Sequence, residues 1–138
     1  MPPLTRWFIR TALLYLVLSL VSGVLVAAGS LTRFPYPIAS LSTLYFQILM
    51  VGWITQLIFG VAYWMFPTFS REHPRRSPML GWVAYVSLNA GLLLQVVVEL
   101  LGIVNANAAG WMGGVSILLQ FAAALAFVIN TWNRVKGR

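Results

Sequence analysis

The segment Ser42–Phe66, STLYFQILMVGWITQLIFGVAYWMF, holds no charged residue and is dense in Phe, Ile, Leu, Val, Tyr and Trp. Coiled as a helix it is about 37 Å long at 1.5 Å per residue, longer than the roughly 30 Å hydrocarbon core of a bilayer. Pro67 follows at once, where a helix tends to stop, and Arg71, Arg75 and Arg76 come soon after. An uncharged span with a basic hem predicts a membrane location and a direction across it.

The rest of the chain extends this pattern. Residues 8–29, 79–103 and 111–132 are further apolar runs of span length, so the sequence reads as a single all-α integral membrane domain, residues 1–138, with four spans. Hydrophobic residues make up 60% and charged residues 8%, against about 25% charged in soluble domains. A soluble domain of 138 residues leaves too much of itself facing water to hide that apolar surface, whereas lipid accepts it.

Arg6 and Arg10 precede an apolar run that ends in Ala27-Ala28-Gly29, as in a signal peptide. The run is span-length rather than the shorter signal type, and it is read as the first transmembrane helix. Its Ser19, Ser22, Gly23 and Ala27 fall near one face, a surface that lets another helix approach closely. The segment Ser30–Leu41 contains Phe34-Pro35-Tyr36-Pro37 and is predicted to cross in extended form, because prolines a residue apart reject a helix. The segment Val104–Gly110, VNANAAG, is predicted as a tight connection, and Trp111 and Trp132 bracket the fourth span where interfacial aromatics belong.

Charge sets the orientation. Arg6, Arg10, Arg71, Arg75, Arg76, Arg134, Lys136 and Arg138 fall on one side of the four-span arrangement, and Arg33 on the other. The positive-inside rule then places both termini and loop 67–78 in the cytoplasm, with the chain in a membrane of the bacterial inner type. Short connections make successive spans antiparallel neighbours, which predicts a four-helix bundle. The net charge of +7 sits in patches at the ends of apolar runs, a pattern of membrane topology and anionic headgroups rather than of nucleic acid.

Polar residues inside the spans are the candidate site: Glu99, Gln95, Gln47, Gln56, Asn89, Ser116 and Gln120. Counting outward from loop 67–78 puts Gln56 level with Asn89 near the midplane, and Gln47 level with Glu99. The same count on the last hairpin puts Glu99 level with Ser116 and Gln95 level with Gln120. These coincidences predict interhelical hydrogen bonds in layers, each worth about 0.6–2 kcal/mol in a membrane. Gln47 and Gln56 are half a turn apart on a regular helix, so both cannot face the third span squarely. Glu99 is the sharpest functional candidate, since an ionisable group within a span is one by default. His73 lies between Glu72 and Pro74 in the basic loop and reads as a solvated surface residue.

Several chemistries lack their residues. The chain has no cysteine and one histidine, outside the spans, so it offers no thiolate site and no bis-histidine haem site. No carboxylate cluster, nucleophile–base pair or phosphate loop supports a catalytic site. Gly52 and Gly60, and the pair Gly113-Gly114, are read as points of close helix packing. The Tyr63-Trp64-Met65-Phe66 group is read as an interfacial anchor.

Within the second span, Met50-Val51-Gly52-Trp53, Phe59-Gly60, Tyr63 and Phe66-Pro67 resemble a helix of haem-copper oxidase catalytic subunits and their short relatives. In that family a helix bearing a haem-ligating histidine continues into a Gly-Trp and a Gly-x-x-Tyr pattern ending at proline. Gln47 stands here where such a histidine belongs, so the resemblance implies an oxidase-like fragment without haem, copper or oxidase chemistry. The first functional expectation is a non-catalytic accessory subunit of a respiratory or photosynthetic electron-transfer complex, with other membrane subunits and lipid as partners. The alternative is a small proton-coupled transporter acting as a homodimer through Glu99, although such families place their glutamate in the first helix. No resident cofactor is required by either, while quinone, carotenoid or another pigment fits apolar grooves between helices without a diagnostic motif.

Overall fold

A computed structural model describes residues 2–31, 38–66, 77–101 and 106–135. All regular structure among them is helical: α1 (Pro3–Leu31), α2 (Ile38–Gln47), α3 (Gln56–Met65), α4 (Pro78–Leu101) and α5 (Ala106–Thr131). Between α2 and α3 the rod does not break but continues over Ile48–Thr55 as a π-helix, with i→i+5 hydrogen bonding. A 3₁₀ turn, Trp132–Arg134, closes α5. Four helical stretches are long and apolar enough to cross a membrane: Pro3–Gly29, Leu41–Met65, Pro78–Glu99 and Ala109–Thr131. This is a membrane protein.

The helix ends follow local chemistry. Pro78 opens α4, a position where its missing N–H leaves no bond unmade, and Ser77 Oγ accepts from Leu80 N at 3.4 Å as an N-cap. Phe66 leaves α3 with φ −63° and ψ 144°, the extended conformation favoured in the residue before a proline. Three boundaries differ from expectation, the first being that of α1, which begins at Pro3 rather than at residue 8. Helix α2 already begins at Ile38, within the segment expected to be extended; Phe34–Pro37 lies outside the described residues. Helix α5 begins at Ala106, within the expected connection, where alanines favour helix and no proline intervenes.

The spans pair as two antiparallel hairpins, α1 along the whole α2–π–α3 rod and α4 along α5, with thinner contact between the hairpins. In the first hairpin, aromatic residues of α1 seat on glycines. A Cβ added at Gly52 would stand 2.9 Å from Tyr15 Cγ, and one at Gly60 would stand 2.8 Å from Phe8 Cβ. Ser19 and Ser22 are buried on the same side, their hydroxyls donating back to Leu16 O and Ser19 O at 2.8 Å. The second hairpin is closed by smaller groups. A Cβ at Gly91 would stand 3.0 Å from Ser116 O, and Ala84 and Ala123 are fully buried. Gly114 does not take part, since its Cβ would meet nothing within 4 Å.

One apolar core runs through both hairpins, from Leu4 and Phe8 to Leu88, Leu92 and Ala123. Phe8 packs edge-on to Phe59 and Tyr85, while Phe59 stacks on Phe127 with centroids 3.9 Å apart and so ties α3 to α5. The outward faces are apolar as well. Leu14, Val24, Ile117, Leu118 and Phe121 are exposed, the arrangement expected where the solvent is hydrocarbon.

Candidate functional site

The candidate polar residues gather into two layers. In the central one Gln56 is fully buried, and its Nε2 donates to Thr11 Oγ1 and, at 3.4 Å, to Asn89 Oδ1. Tyr15 Oη donates to the same Asn89 oxygen at 3.0 Å, and Asn89 Nδ2 donates to Tyr85 O at 2.8 Å. Thr11 Oγ1 donates to Trp7 O at 2.7 Å within its own helix. Three spans are thereby joined at one depth, with Gln56 and Asn89 in direct contact. Gln56 Oε1 is buried without a hydrogen-bond partner among the described residues.

The second layer is a chain. Gln47 Nε2 donates to Gln120 Oε1 at 2.9 Å, and Gln120 Nε2 donates to Ser116 Oγ at 3.2 Å. The Ser116 hydroxyl lies within reach of Gln95 Oε1 at 2.9 Å and of Gly91 O at 2.8 Å. Gln95 Nε2 then donates to Glu99 Oε1 at 3.4 Å. Read from Gln47, with the Ser116 proton on Gln95, every link donates towards the Glu99 carboxyl.

Two pairings expected from depth do not form. Gln47 meets Gln120 rather than Glu99, and Ser116 meets Gly91 and Gln95 rather than Glu99. For Ser116 the cause lies in the α4–α5 connection. Because α4 ends at Leu101 and α5 starts at Ala106, the turn is centred earlier than assumed, and Ser116 falls opposite Gly91, about two turns deeper than Glu99. Gln95 and Gln120 are linked through Ser116 rather than set level with each other, since Gln120 also packs at Gly91.

The π-helix answers a second expectation. A regular helix would set Gln47 and Gln56 on opposite faces. An i→i+5 ladder turns each residue through a smaller angle, and over Ile48–Thr55 the deficit accumulates. Both amides reach partners inside the bundle, Gln47 on α5 and Gln56 on α1 and α4. Thr55 marks the wider ladder, its Oγ1 donating to Met50 O at 2.9 Å, five residues back.

Three polar partners escaped the sequence reading. Thr11 and Tyr15 carried a partial signal: counting outward from the middle of the first connection, as on the other hairpins, sets Tyr15 level with Gln56 and Thr11 one turn away from it. Arg134 was counted only as a tail charge. It is 4% exposed, and its Nη2 donates to Tyr63 O at 3.2 Å and Phe66 O at 2.8 Å. The guanidinium also stands 5.6 Å from the Tyr63 ring centroid, so Tyr63 is a buried platform while Trp64 and Met65 face outward. Nearby, Asn130 Oδ1 accepts from Ser77 N at 3.3 Å, joining α5 to the start of α4.

Among the described residues no three His, Cys, Asp or Glu side chains gather where a metal ion could be held. His73 lies outside the described residues. No family model, curated protein or solved structure matches the chain.

Proposed function

We propose that the chain is a non-catalytic accessory subunit of a larger membrane assembly, a respiratory or photosynthetic electron-transfer complex in the narrower form of this reading. What supports it is how the span-interior amides and hydroxyls are used. Gln47, Gln56, Asn89, Gln95, Ser116 and Gln120 are hydrogen-bonded to one another across helices, while the outward faces are apolar. Amides engaged in this way fix helix register and leave the lipid-facing surface for neighbouring subunits. Gln47, which stands where the resembling oxidases carry a histidine, serves as a helix–helix contact. The electron-transfer part rests on that resemblance alone. In this reading the partners are membrane subunits and lipid, with both termini and loop 67–78 in the cytoplasm.

Gentle detergent extraction tests it. The chain should leave the membrane with large redox partners, and isolation as a small homodimer would reject the accessory role. Sidedness is tested by labelling introduced cysteines. Those at Arg33 and Asn107 should react from outside, and one at Thr68 only after permeabilisation; labelling of Thr68 and Asn107 from the same side would overturn the arrangement.

A second reading has one observation in its favour. The chain of donors from Gln47 to Glu99 ends on the only carboxylate placed within the spans. A proton-coupled transporter acting through Glu99 would use such a terminus, and titration of Glu99 separates the two readings.

A further inference from the structure

The second span changes its hydrogen-bond ladder twice, from α2 into the π-helix Ile48–Thr55 and from there into α3. A π ladder is rare and mostly confined to a single turn, so eight residues in this form need a cause. Composition supplies none, since ILMVGWIT holds one glycine and no proline. The cause is geometric. Nine residues of α-helix make two and a half turns, which would set Gln47 half a turn away from Gln56. The i→i+5 ladder fits more residues into each turn, so the same nine make about two turns. Gln47 thereby comes round to Gln120 Oε1 at 2.9 Å, while Gln56 keeps Thr11 and Asn89.

The two ends of the π stretch are held unequally. Gln56 is fully buried and bonded to two other spans, whereas Gln47 is half-buried and reaches one. Beside Gln47, Tyr45 packs on α1 at Gly23, where an added Cβ would stand 3.0 Å from the ring, and Phe46 is exposed. Turning α2 about its axis trades Tyr45 for Phe46, one aromatic ring for another. In a membrane no hydrophobic driving force chooses between two such faces, so an interhelical amide bond carries the choice.

We propose that Ile48–Thr55 is a two-state joint latched by Gln47. With Gln47 on Gln120 the joint is π. With that bond broken it closes to α, and α2 swings about half a turn while Gln56 keeps α3 in place. The swing takes the Gln47 donor from Gln120 and so cuts the polar chain to Glu99 at its first link. The joint couples α2 to the α4–α5 hairpin in an accessory subunit and in a transporter alike.

Double electron–electron resonance on the full chain in lipid nanodiscs tests the joint. The chain has no native cysteine, so nitroxides attach only where one is introduced. One label at Ile117, exposed on α5, is paired with a second at Phe46, exposed on α2, or at Ile58, exposed on α3. Gln120→Met keeps an unbranched side chain and removes the acceptor. It should raise the population of a second Phe46–Ile117 distance about three- to twentyfold, the bias of one interhelical bond in a membrane. The displacement should approach ~10 Å, the width of a helix with its side chains, while the Ile58–Ile117 distance stays fixed. Gln47→Met should act alike from the other side of the bond. A Phe46 distance unchanged by both substitutions would overturn the proposal. So would an equal shift at Ile58, because the span would then be moving as one rod. Removing Met50 and Val51 gives an independent check: it leaves Gln47 and Gln56 seven residues apart, on one face of an ordinary α-helix. In that background Gln120→Met should produce no second distance, and one that persisted would also overturn the joint. Should the shortened chain fail to fold, the two Met substitutions decide the proposal by themselves.

Discussion

Arg134 and Glu99 are charged side chains near opposite ends of the bundle, and their surroundings differ in kind. Arg134 is almost wholly buried, donates to two main-chain carbonyls of the neighbouring span and lies against a tyrosine ring. Glu99 is half-buried, and its hydrogen bond from Gln95, at 3.4 Å, comes from one turn earlier in its own helix. The contrast follows from what each helix end requires. The last carbonyls of α3 lose their next helical donors at Pro67, and a cation there satisfies them while favouring the negative pole of the helix. Among the described residues, the bond given to the Glu99 carboxyl stays within its own helix. Arg134 fastens two helices to each other, and Glu99 is the group whose replacement should disturb the fold least.

Removing the fastener should therefore have the largest effect. Arg134→Ala deletes two charge-assisted bonds and a cation–π contact from a buried setting, an expected loss of about 2–3 kcal/mol. Arg134→Lys should recover only part of it, because an ammonium point charge does not reproduce the planar guanidinium across two carbonyls and a ring. Denaturant unfolding in detergent, followed by circular dichroism, measures both. If Arg134→Ala cost less than about 0.5 kcal/mol, the contrast between the two ends would collapse.

The central layer gives an intermediate reference. Gln56→Leu keeps the size but removes the donor to Thr11 and Asn89, with an expected cost of about 1–2 kcal/mol. A double-mutant cycle with Asn89→Leu should show coupling of about 0.6–1.7 kcal/mol, the range seen for interhelical bonds in membranes. Gln47→Leu, at a half-buried position with one interhelical bond, should cost less than Gln56→Leu. The reverse order would mean that the chain leading to Glu99, rather than the central layer, holds the bundle together.

Much of this was legible in the sequence, and the exceptions have physical causes. Span-length apolar runs, Pro67 and Pro78 fix four helices and several of their ends, because hydrophobic length and proline act locally. Gln56 and Asn89 were paired from depth because the basic loop sets that hairpin's register. Ser116 was misplaced because a few residues of helix gained before Gly110 displace every pairing along α5. The π-helix left no mark in composition: ILMVGWIT would coil as an ordinary helix, and what favours the wider ladder is the bonding of two glutamines, nine residues apart in sequence, to partners inside the same bundle. Arg134 was hidden by its neighbours, since a tail of Arg, Lys and Arg reads as topology until one member is found buried against α3.

The smallest effect on folding is expected at Glu99, and it carries the most about function. A charge at the centre of a span costs about 2.5–3.5 kcal/mol on insertion scales, and less towards an interface. Glu99 is the last residue of its span and is half-buried, so its carboxyl does not bear the full cost. Glu99→Gln preserves the shape and can still accept from Gln95, so stability should change by less than about 0.5 kcal/mol; Glu99→Leu, which loses that bond, should loosen packing modestly. The Gln substitution removes only the ability to gain and lose a proton. For an accessory subunit, assembly with redox partners and electron transfer through them should be nearly unchanged in Glu99→Gln. Proteoliposomes containing the purified chain supply the opposing measurement. A proton-driven flux that is present in the wild type and abolished in the folded Glu99→Gln protein would displace the accessory reading. It would also identify the donor chain from Gln47 to Gln95 as the scaffold of a coupling carboxylate.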